Sequence, residues 1–368
     1  MGAIPKDFLN WDTGSVSASR GGTEGRELWP TEVFNLEGIN LSVQDEFSFI
    51  NSITPKKYKQ PHLVAGIGDD AALYSGNNDV EEIVCMDTMI EEVHFNRQTM
   101  KPFHIGYKAL ASNISDIAAM GGVPNFYLVS IAIPKHWPDT ELLEIYKGME
   151  ALADRYQMDL IGGDTVSSKH SLVITVTVIG RVLKGRHLLR KNAKANDIVF
   201  ATGSLGDSMA GLELLLKSGV DFNFSKNEQA LITRHQLPEP RVEIGQILAK
   251  FPRVALNDVS DGIASELNEI ASVSDVTIVI EAEKLPKSSQ ITSFSEDQQL
   301  HWMLNGGEDY ELVGTVSEED WIEIKKECEQ KNYSITKIGY VTNGPAKVLI
   351  KQGDQMNLLQ KLGFNHFK

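Results

Sequence analysis

A chain of 368 residues is longer than one ordinary domain, so two domains are expected. The hydrophobic fraction of 42% supports buried cores and excludes a wholly disordered chain. The net charge of −15 argues against nucleic acid as the main partner, because a phosphate backbone is bound by clustered lysine and arginine.

Targeting and redox signals are sparse. No run of about 18 apolar residues occurs, so we expect no membrane span and no membrane partner. Cys85 and Cys328 form neither a CxxC pair nor a metal-binding spacing. They indicate packed thiols in a reducing compartment, and we expect a cytoplasmic protein.

The first forty residues differ from the rest of the chain. Residues 1–40 are rich in glycine, serine, threonine and charge, and they lack both sustained periodicity and the pattern of a secretory signal. We expect a flexible extension or a remnant of cloning there. The globular pattern starts near Ser42, and residues 44–50 predict a short helix.

A glycine and aspartate motif follows the first apolar segment. In Gly66–Ala72 the glycines permit a tight loop that presents Asp69 and Asp70 side by side. Two carboxylates so close repel each other unless a cation neutralises them. Gly-Asp-Asp is also ordinary turn chemistry, so this motif alone favours a simple turn.

The next segments alternate between strands and helices. Residues 82–86 predict a strand that ends at Asp87, where side chains of α/β folds commonly face a ligand. Apolar spacing predicts a helix over 105–120, with Asn113 and Asp116 on one face. A strand over 126–133, a helix over 139–156 and a strand over 172–182 complete an α/β or α+β domain ending near residue 183.

The glycine and acid theme returns three times. Residues 160–165 place Asp164 after a glycine pair, residues 255–262 carry Asp258 and Asp261 after a strand, and residues 305–312 form a fourth such loop. Residues 203–208 precede a predicted helix and suggest an anion cradle, because helix N-termini offer free N–H groups.

The repeated acidic loops predict one metal site. Carboxylates gathered in one cleft require cations, and magnesium accepts a few carboxylates together with water and substrate phosphate. No cluster of histidine and cysteine suggests zinc. The candidate ligands are Asp69, Asp70, Asp87, Asp116, Asp164, Asp258 and Asp261.

Eight ordered motifs then carry a family resemblance. They are GIGDDAAL, MDTMIEEVHF, YKALASNISDIAAMGG, IGGDT, TGSLGDSMAGL, NDVSDGIASEL, GGEDYEL and the terminal GFNHF. From about residue 44 to the C-terminus the chain resembles the thiamine-monophosphate kinase family, in the aminoimidazole ribonucleotide synthetase-like superfamily.

The resemblance implies a fold and a domain division. It implies a two-domain α/β (α+β) protein that forms a homodimer through its N-terminal domains. Residues 41–183 would form the N-terminal domain, with a mixed sheet, which binds ATP and Mg²⁺ and makes the dimer. Residues 184–368 would form a C-terminal α/β domain.

The resemblance also implies an activity and a residue set. The activity is ATP-dependent, Mg²⁺-assisted phosphorylation of thiamine monophosphate to thiamine diphosphate, with both molecules as small-molecule partners. No acid or base residue is implied, because the acceptor is a phosphate oxygen that is already anionic and the transfer depends on positioning and charge neutralisation. The implied magnesium ligands are Asp70, Asp87, Asp116, Asp164, Asp258 and Asp261. The implied ATP contacts are Gly163, Asp164, Arg190 and Ser260. The implied acceptor contacts are His94, Glu308 and Phe364.

One departure from the family pattern concerns a metal position. The family usually has hydroxyl residues just before the position of Asp87, where this chain has Cys85 and Met86. Only the backbone carbonyls of these two residues could serve as ligands. Taken alone, Phe364 equally indicates an aromatic that packs the C-terminus, His94 a structural histidine, and Arg190 a solvated charge.

Other readings of the sequence stay open. Aminoimidazole ribonucleotide synthetase is the nearest rival, although MDTMIEEVHF and GGEDYEL disfavour it. A selenophosphate synthetase would need a reactive cysteine or selenocysteine near its N-terminus, and no cysteine precedes Cys85 here. The related hydrogenase maturation protein ends in a functional cysteine, whereas this sequence ends Phe367-Lys368. A non-catalytic scaffold that binds magnesium and nucleotide is the alternative from another class.

Overall fold

A computed structural model of the protein describes residues 62–75 and 79–361. Over these residues the chain forms thirteen β-strands and eight α-helices, all within the unit Asp45–Lys368. The extension predicted at 1–40 and the helix predicted at 44–50 lie outside the described residues. No helix in the described ranges is both long and apolar enough to cross a membrane.

The first sheet has six strands in the order β1-β2-β3-β6-β4-β5. Neighbouring strands are antiparallel except for β4 and β5, which are parallel. The sheet is therefore mixed, as predicted. The strands are β1 (Leu63–Ala65), β2 (Ala72–Ser75), β3 (Val80–Ile90), β4 (Val123–Pro134), β5 (Asp159–Ser168) and β6 (Val173–Leu183).

Two long helices cover one face of this sheet. Helix α1 (Pro102–Ala119) and helix α2 (Asp139–Tyr156) pack against each other, and α2 has the bounds that its apolar periodicity predicts. Glycines allow the close approach: a Cβ on Gly106 would lie 1.8 Å from the carbonyl oxygen of Ile145. A Cβ on Gly148 would lie 1.9 Å from the carbonyl oxygen of Phe103.

The second sheet has seven strands in the order β13-β12-β9-β11-β7-β10-β8. Every residue of β7, β8 and β10 is buried, so the sheet is covered on both faces there. The strands are β7 (Ile198–Thr202), β8 (Val254–Asp258), β9 (Thr277–Glu281), β10 (Leu312–Val316), β11 (Ile335–Thr342), β12 (Lys347–Gln352) and β13 (Gln355–Leu358).

Six further α-helices and three short 3₁₀ helices accompany the second sheet. The α-helices are α3 (Asp207–Ser218), α4 (Lys226–Gln236), α5 (Val242–Leu248), α6 (Ile263–Ser274), α7 (Glu296–Asn305) and α8 (Glu318–Gln330). The 3₁₀ helices are Arg190–Asn192, Ala282–Lys284 and Ile291–Ser293.

Helix α1 lies between the two halves of the described chain. It packs on β3 and β6, on α2, and also on α5 and β8 of the second half. One hydrophobic cluster accordingly joins Ile117 of α1, Leu248 of α5 and Leu256 of β8. The two predicted domains share this packing, and their boundary at residue 183 remains a prediction.

Two segments predicted as loops or strand ends are regular strand. Strand β3 continues to Ile90, so Asp87 lies within a strand and not at its end. The segment IGGDT lies inside β5, at the edge of the first sheet. The glycine pair misled the prediction: a Cβ on Gly163 would lie 1.9 Å from the carbonyl oxygen of Val129, so glycine serves close strand pairing here.

The sequence also predicts helices over 240–249 and 263–271, where α5 and α6 lie, but it predicts none at the positions of α4, α7 and α8. Helix α4 carries a readable signal, because Ser225 and Glu228 form a reciprocal capping box at its N-terminus. Ser295 and Ser317 cap α7 and α8 in a similar way, each accepting a backbone N–H.

Candidate active site

Three aspartates from distant parts of the sequence meet in one cluster. Asp70 follows β1, Asp116 lies in the last turns of α1, and Asp258 ends β8. One carboxylate oxygen from each lies within 4.8 Å of the others. The cluster therefore depends on α1 packing between the two halves of the chain.

Burial disfavours the ionised form of each carboxylate in the cluster. Burial, together with nearby carboxylates, raises the pKa of Asp70 to about 6 even though Arg190 lowers it. The same two causes hold the pKa values of Asp116 and Asp258 well above the ordinary range. Ser115 donates its hydroxyl to Asp258 at 2.6 Å, which orients that carboxylate. Only an added cation would allow all three to ionise together.

The residues present fit a hard divalent cation. All three side chains offer carboxylate oxygens, which is the donor set that magnesium prefers. One oxygen of Asp70, Oδ2, is buried and has no hydrogen-bond partner. A buried acceptor of this kind is expected to have a partner in the working protein.

Arg190 stands beside the cluster, and the reading of it as a solvated charge is wrong. Its side chain is only 17% exposed, and its guanidinium pairs with Asp70 and, at 2.7 Å, with Glu269. Its backbone N–H donates to Asp69 Oδ1 at 3.0 Å. Asp69 thus holds the loop while its neighbour Asp70 faces the cluster.

Asp87 lies near the cluster on β3. Its backbone N–H donates to Asn113 Oδ1 at 3.1 Å, and its charge contributes to the raised pKa of Asp116. The Cys85 side chain is buried, with Sγ 3.3 Å from the carbonyl oxygen of Asn113, whereas Met86 is 64% exposed. That the backbone carbonyls of Cys85 and Met86 are metal ligands remains a prediction.

The remaining predicted phosphate and metal residues are spread more widely. Gly163 and Asp164 lie on the exposed edge strand β5, outside the three-aspartate cluster. Ser260 and Asp261 occupy the turn after β8. The N–H of Asp261 donates to Glu266 at 3.1 Å, and the carbonyl of Ser260 accepts the N–H of Glu308 at 2.7 Å.

The two described acceptor candidates lie near each other. The charge of His94 contributes to the electrostatics of Glu308, and His94 Nδ1 accepts the N–H of Ile90 at 2.9 Å. Burial alone would raise the pKa of Glu308, but Lys108 and His235 lower it on balance. Phe364 lies outside the described residues.

Lys108 is a site residue that sequence reasoning missed. Its ammonium donates to Glu308 Oε2 at 2.7 Å, although its side chain is fully buried. A lysine within a helix ordinarily faces solvent, so composition gives no signal. The available signal was spacing, since Lys108, Ser112 and Asp116 recur every four residues along α1.

The anion cradle suggested at residues 203–208 is filled by the protein itself. Asp309 accepts the backbone N–H of Gly206 at 2.6 Å and that of Ser208 at 3.0 Å. Burial raises the pKa of Asp309 to about 7, against the lowering effect of these two bonds. The N-terminus of α3 therefore binds an internal carboxylate.

Comparison with known proteins identifies the family of the chain. The profiles for AIR synthase related protein match residues 68–182 (N-terminal domain) and 194–352 (C-terminal domain). The thiamine-monophosphate kinase of Bacillus subtilis strain 168 is 53% identical over 325 residues, covering 88% of this chain and all of that protein.

Solved structures similar to this chain belong to the same family. A structure described as AaThiL complexed with AMPPCP and TMP is 31% identical with a TM-score of 0.76, covering 89% of this chain and 99% of that one. A thiamine-monophosphate kinase from Stenotrophomonas maltophilia K279a is 32% identical with a TM-score of 0.70, covering 80% and 92%. These matches confirm the predicted fold class, and the chain belongs to the thiamine-monophosphate kinase family of the AIR synthase related proteins.

Proposed function

We propose that this chain transfers the γ-phosphoryl group of ATP to thiamine monophosphate and releases thiamine diphosphate and ADP. The observation that carries the proposal is the 53% identity to a thiamine-monophosphate kinase across that protein's whole length. The AaThiL structure, complexed with AMPPCP and TMP, supports the same pair of substrates, since it matches 89% of this chain.

The transfer needs no acid or base from the protein. An oxygen of the acceptor phosphate forms a bond to the γ-phosphorus, and the bond from that phosphorus to the leaving oxygen of ADP breaks. The attacking oxygen is already anionic near neutral pH, so the main obstacle is repulsion between two polyanions. The residues of the chain are therefore expected to position the substrates and to gather positive charge.

The carboxylate cluster would hold magnesium. Asp70, Asp116 and Asp258 form its centre, and Asp87, Asp164 and Asp261 are the further ligands that family resemblance assigns. Bound magnesium would neutralise phosphate charge during transfer. Ser115 orients Asp258 for this role through its hydroxyl.

The two substrates are expected to contact different residues around the cluster. Arg190 pairs with Asp70, and with Gly163, Asp164 and Ser260 it would contact ATP. His94, Glu308 and Phe364 would contact thiamine monophosphate. The support for the acceptor contacts is the proximity of His94 and Glu308, whose carboxylate suits the positively charged thiazolium ring.

We also infer a homodimer paired through the first sheet. The support is the edge strand β5, which exposes Leu160, Ile161 and Val166, and the neighbouring strand β4, which exposes Phe126. An exposed apolar edge is a ready template for pairing with a second chain. The cytoplasm remains our prediction for its location, because the reaction consumes ATP.

One assay tests the proposal. The protein is incubated with ATP, Mg²⁺ and thiamine monophosphate, and thiamine diphosphate is measured by chromatography. Product formation that requires all three components is expected. If no product appears above background while ATP still binds, the chain is a nucleotide-binding scaffold and the proposal is wrong.

A further inference from the structure

We propose that Lys108 is a positioning residue that orients Glu308 toward the acceptor substrate. The inference rests on the proposed function of the site and adds a residue that positions one of its acceptor contacts. The Lys108 side chain is fully buried on α1, and its ammonium lies 2.7 Å from Glu308 Oε2. Lysine is almost never buried unless it is paired, so this contact is the reason that the charge is tolerated.

Glu308 supplies the only negative charge that contacts the Lys108 ammonium among the described residues. The other neighbour is His235, whose two ring nitrogens lie 3.3 and 3.4 Å from Nζ. Burial and the adjacent ammonium lower the pKa of His235 to about 3, so the imidazole stays neutral. Ser208 completes the group, with its hydroxyl 3.1 Å from His235 Nδ1.

The paired carboxylate keeps one oxygen for a ligand. The side chain of Glu308 is 28% exposed, in contrast to its fully buried partner. Lys108 and His235 both contact Oε2, and no described residue donates a hydrogen bond to Oε1. The ion pair thus fixes the carboxylate while its second oxygen stays available.

The backbone of the loop that contains Glu308 adopts an unfavourable conformation, which other contacts must stabilise. Glu308 and Tyr310 adopt positive φ angles of 63° and 50°, which are unfavourable for residues with side chains. The N–H groups of these residues donate to the carbonyls of Ser260 and Val259, at 2.7 and 2.9 Å. The ion pair with Lys108 adds a side-chain contact that sets the direction of the Glu308 carboxylate.

Helix α1 connects the Lys108–Glu308 ion pair to the carboxylate cluster. Lys108, Ser112 and Asp116 are spaced by four residues and therefore share a face of the helix. Ser112 lies between them on this face, and its hydroxyl donates to the carbonyl oxygen of Ala109 at 3.3 Å. One helix therefore carries both Lys108, which pairs with Glu308, and Asp116, which is a predicted metal ligand.

The test compares Lys108→Met with wild type in steady-state kinetics. Loss of the charged hydrogen bond is expected to raise the KM for thiamine monophosphate about tenfold or more. The KM for ATP is expected to change by less than about twofold, because Arg190 and the cluster are untouched. Arg253→Met is the control, since it removes a partly buried cation that pairs with Asp197 and does not contact Glu308.

A purely structural ion pair would give a different pattern. Equal changes in both KM values, or a loss of stability alone as expected for Arg253→Met, would overturn the proposal. In a Glu308→Gln background Lys108→Met should have no further effect on the KM for thiamine monophosphate, and additive effects would also overturn it.

Two provisions keep the test decisive. If Lys108→Met does not fold, Lys108→Gln retains an N–H donor toward Glu308 and should give an intermediate rise in the same KM; an unchanged KM overturns the proposal. The wild-type assay separates the two hypotheses, because an inactive wild type rejects the proposed function, whereas an active wild type with an insensitive Lys108 rejects only the positioning role.

Discussion

At the scale of single residues, the site contains several carboxylates whose ionised forms are destabilised by burial. Asp258 is buried among other carboxylates, and among the described residues only Ser115 donates a hydrogen bond to its carboxylate. Arg190 offsets part of the repulsion through Asp70. Each of these carboxylates is thus held in a position where it gains most from an added cation.

Asp258→Asn tests the cluster. We expect kcat to fall about a hundredfold or more, because an amide cannot supply the charge that a metal ligand supplies. Stability without magnesium should be unchanged or higher, since one repelling charge is removed. Turnover and thermal midpoint are measured on the same samples, with the exposed Asp221→Asn as control. Unchanged turnover would exclude Asp258 from the site.

Asp309 gives a pH dependence of known sign. Its pKa is about 7 in the folded protein, compared with 3.8 for the free side chain, so the folded state holds the extra proton between these values. Stability therefore falls as pH rises from about 4 to 7, by up to about 1.4 kcal/mol per pH unit. Urea denaturation at several pH values should show a shallower decline for Asp309→Asn. Identical slopes would contradict this assignment.

At the scale of elements, sequence patterns predicted what local physics decides and missed what packing decides. Helix α2 was predicted with its bounds because its apolar residues follow helical periodicity. The glycines at 162 and 163 predict a loop, but both lie in strand β5, where the backbone of Val129 leaves no space for a Cβ at position 163. Periodicity identifies an amphipathic surface, but it does not show which backbone lies against a glycine.

The same limit applies to the candidate site. The sequence pattern indicates Asp70, Asp116 and Asp258, because Asp70 lies in a glycine-containing loop, Asp116 on a predicted helix and Asp258 after a predicted strand. It could not find the pairing of Lys108 with Glu308, which are 200 residues apart in the chain. It also misread Arg190, since burial by Glu269 and Asp70 depends on how α6 packs.

Gly148→Ala tests the crossing of α1 and α2. The added methyl group would lie 1.9 Å from the carbonyl oxygen of Phe103, so the helices must move apart. We expect a loss of about 2 kcal/mol or more in the free energy of unfolding, despite the better helix propensity of alanine. Gly162→Ala is the control, because its nearest neighbour would be 3.7 Å away. Equal stabilities for the two variants, measured by denaturant unfolding, would refute the packing argument.

At the scale of the whole molecule, the two sheets differ in how well they are covered. Strands β7, β10 and β8 of the second sheet are buried on both faces, whereas β5 of the first sheet is exposed along nearly its whole length. An edge with Leu160, Ile161 and Val166 in contact with water is unfavourable for a lone chain. The first sheet is therefore the expected place for a second copy.

Ile161→Glu tests the dimer. Wild type is expected to sediment as a dimer, and the charged variant should shift toward monomer because it places a charge in an apolar contact. Ile322→Glu on α8 is the matched control, since Ile161 and Ile322 are 53% and 67% exposed. Sedimentation at several concentrations gives the dissociation constant. A monomeric wild type, or equal weakening by both variants, would rule out this interface.

The position of Lys108 and Asp116 on one face of α1 limits how the gene can change. Eight residues of helix separate their Cα atoms by about 12 Å along the axis. A codon inserted or deleted between them would rotate one side chain by about 100° away from the other. Mutations that change the length of this stretch are therefore expected to be selected against.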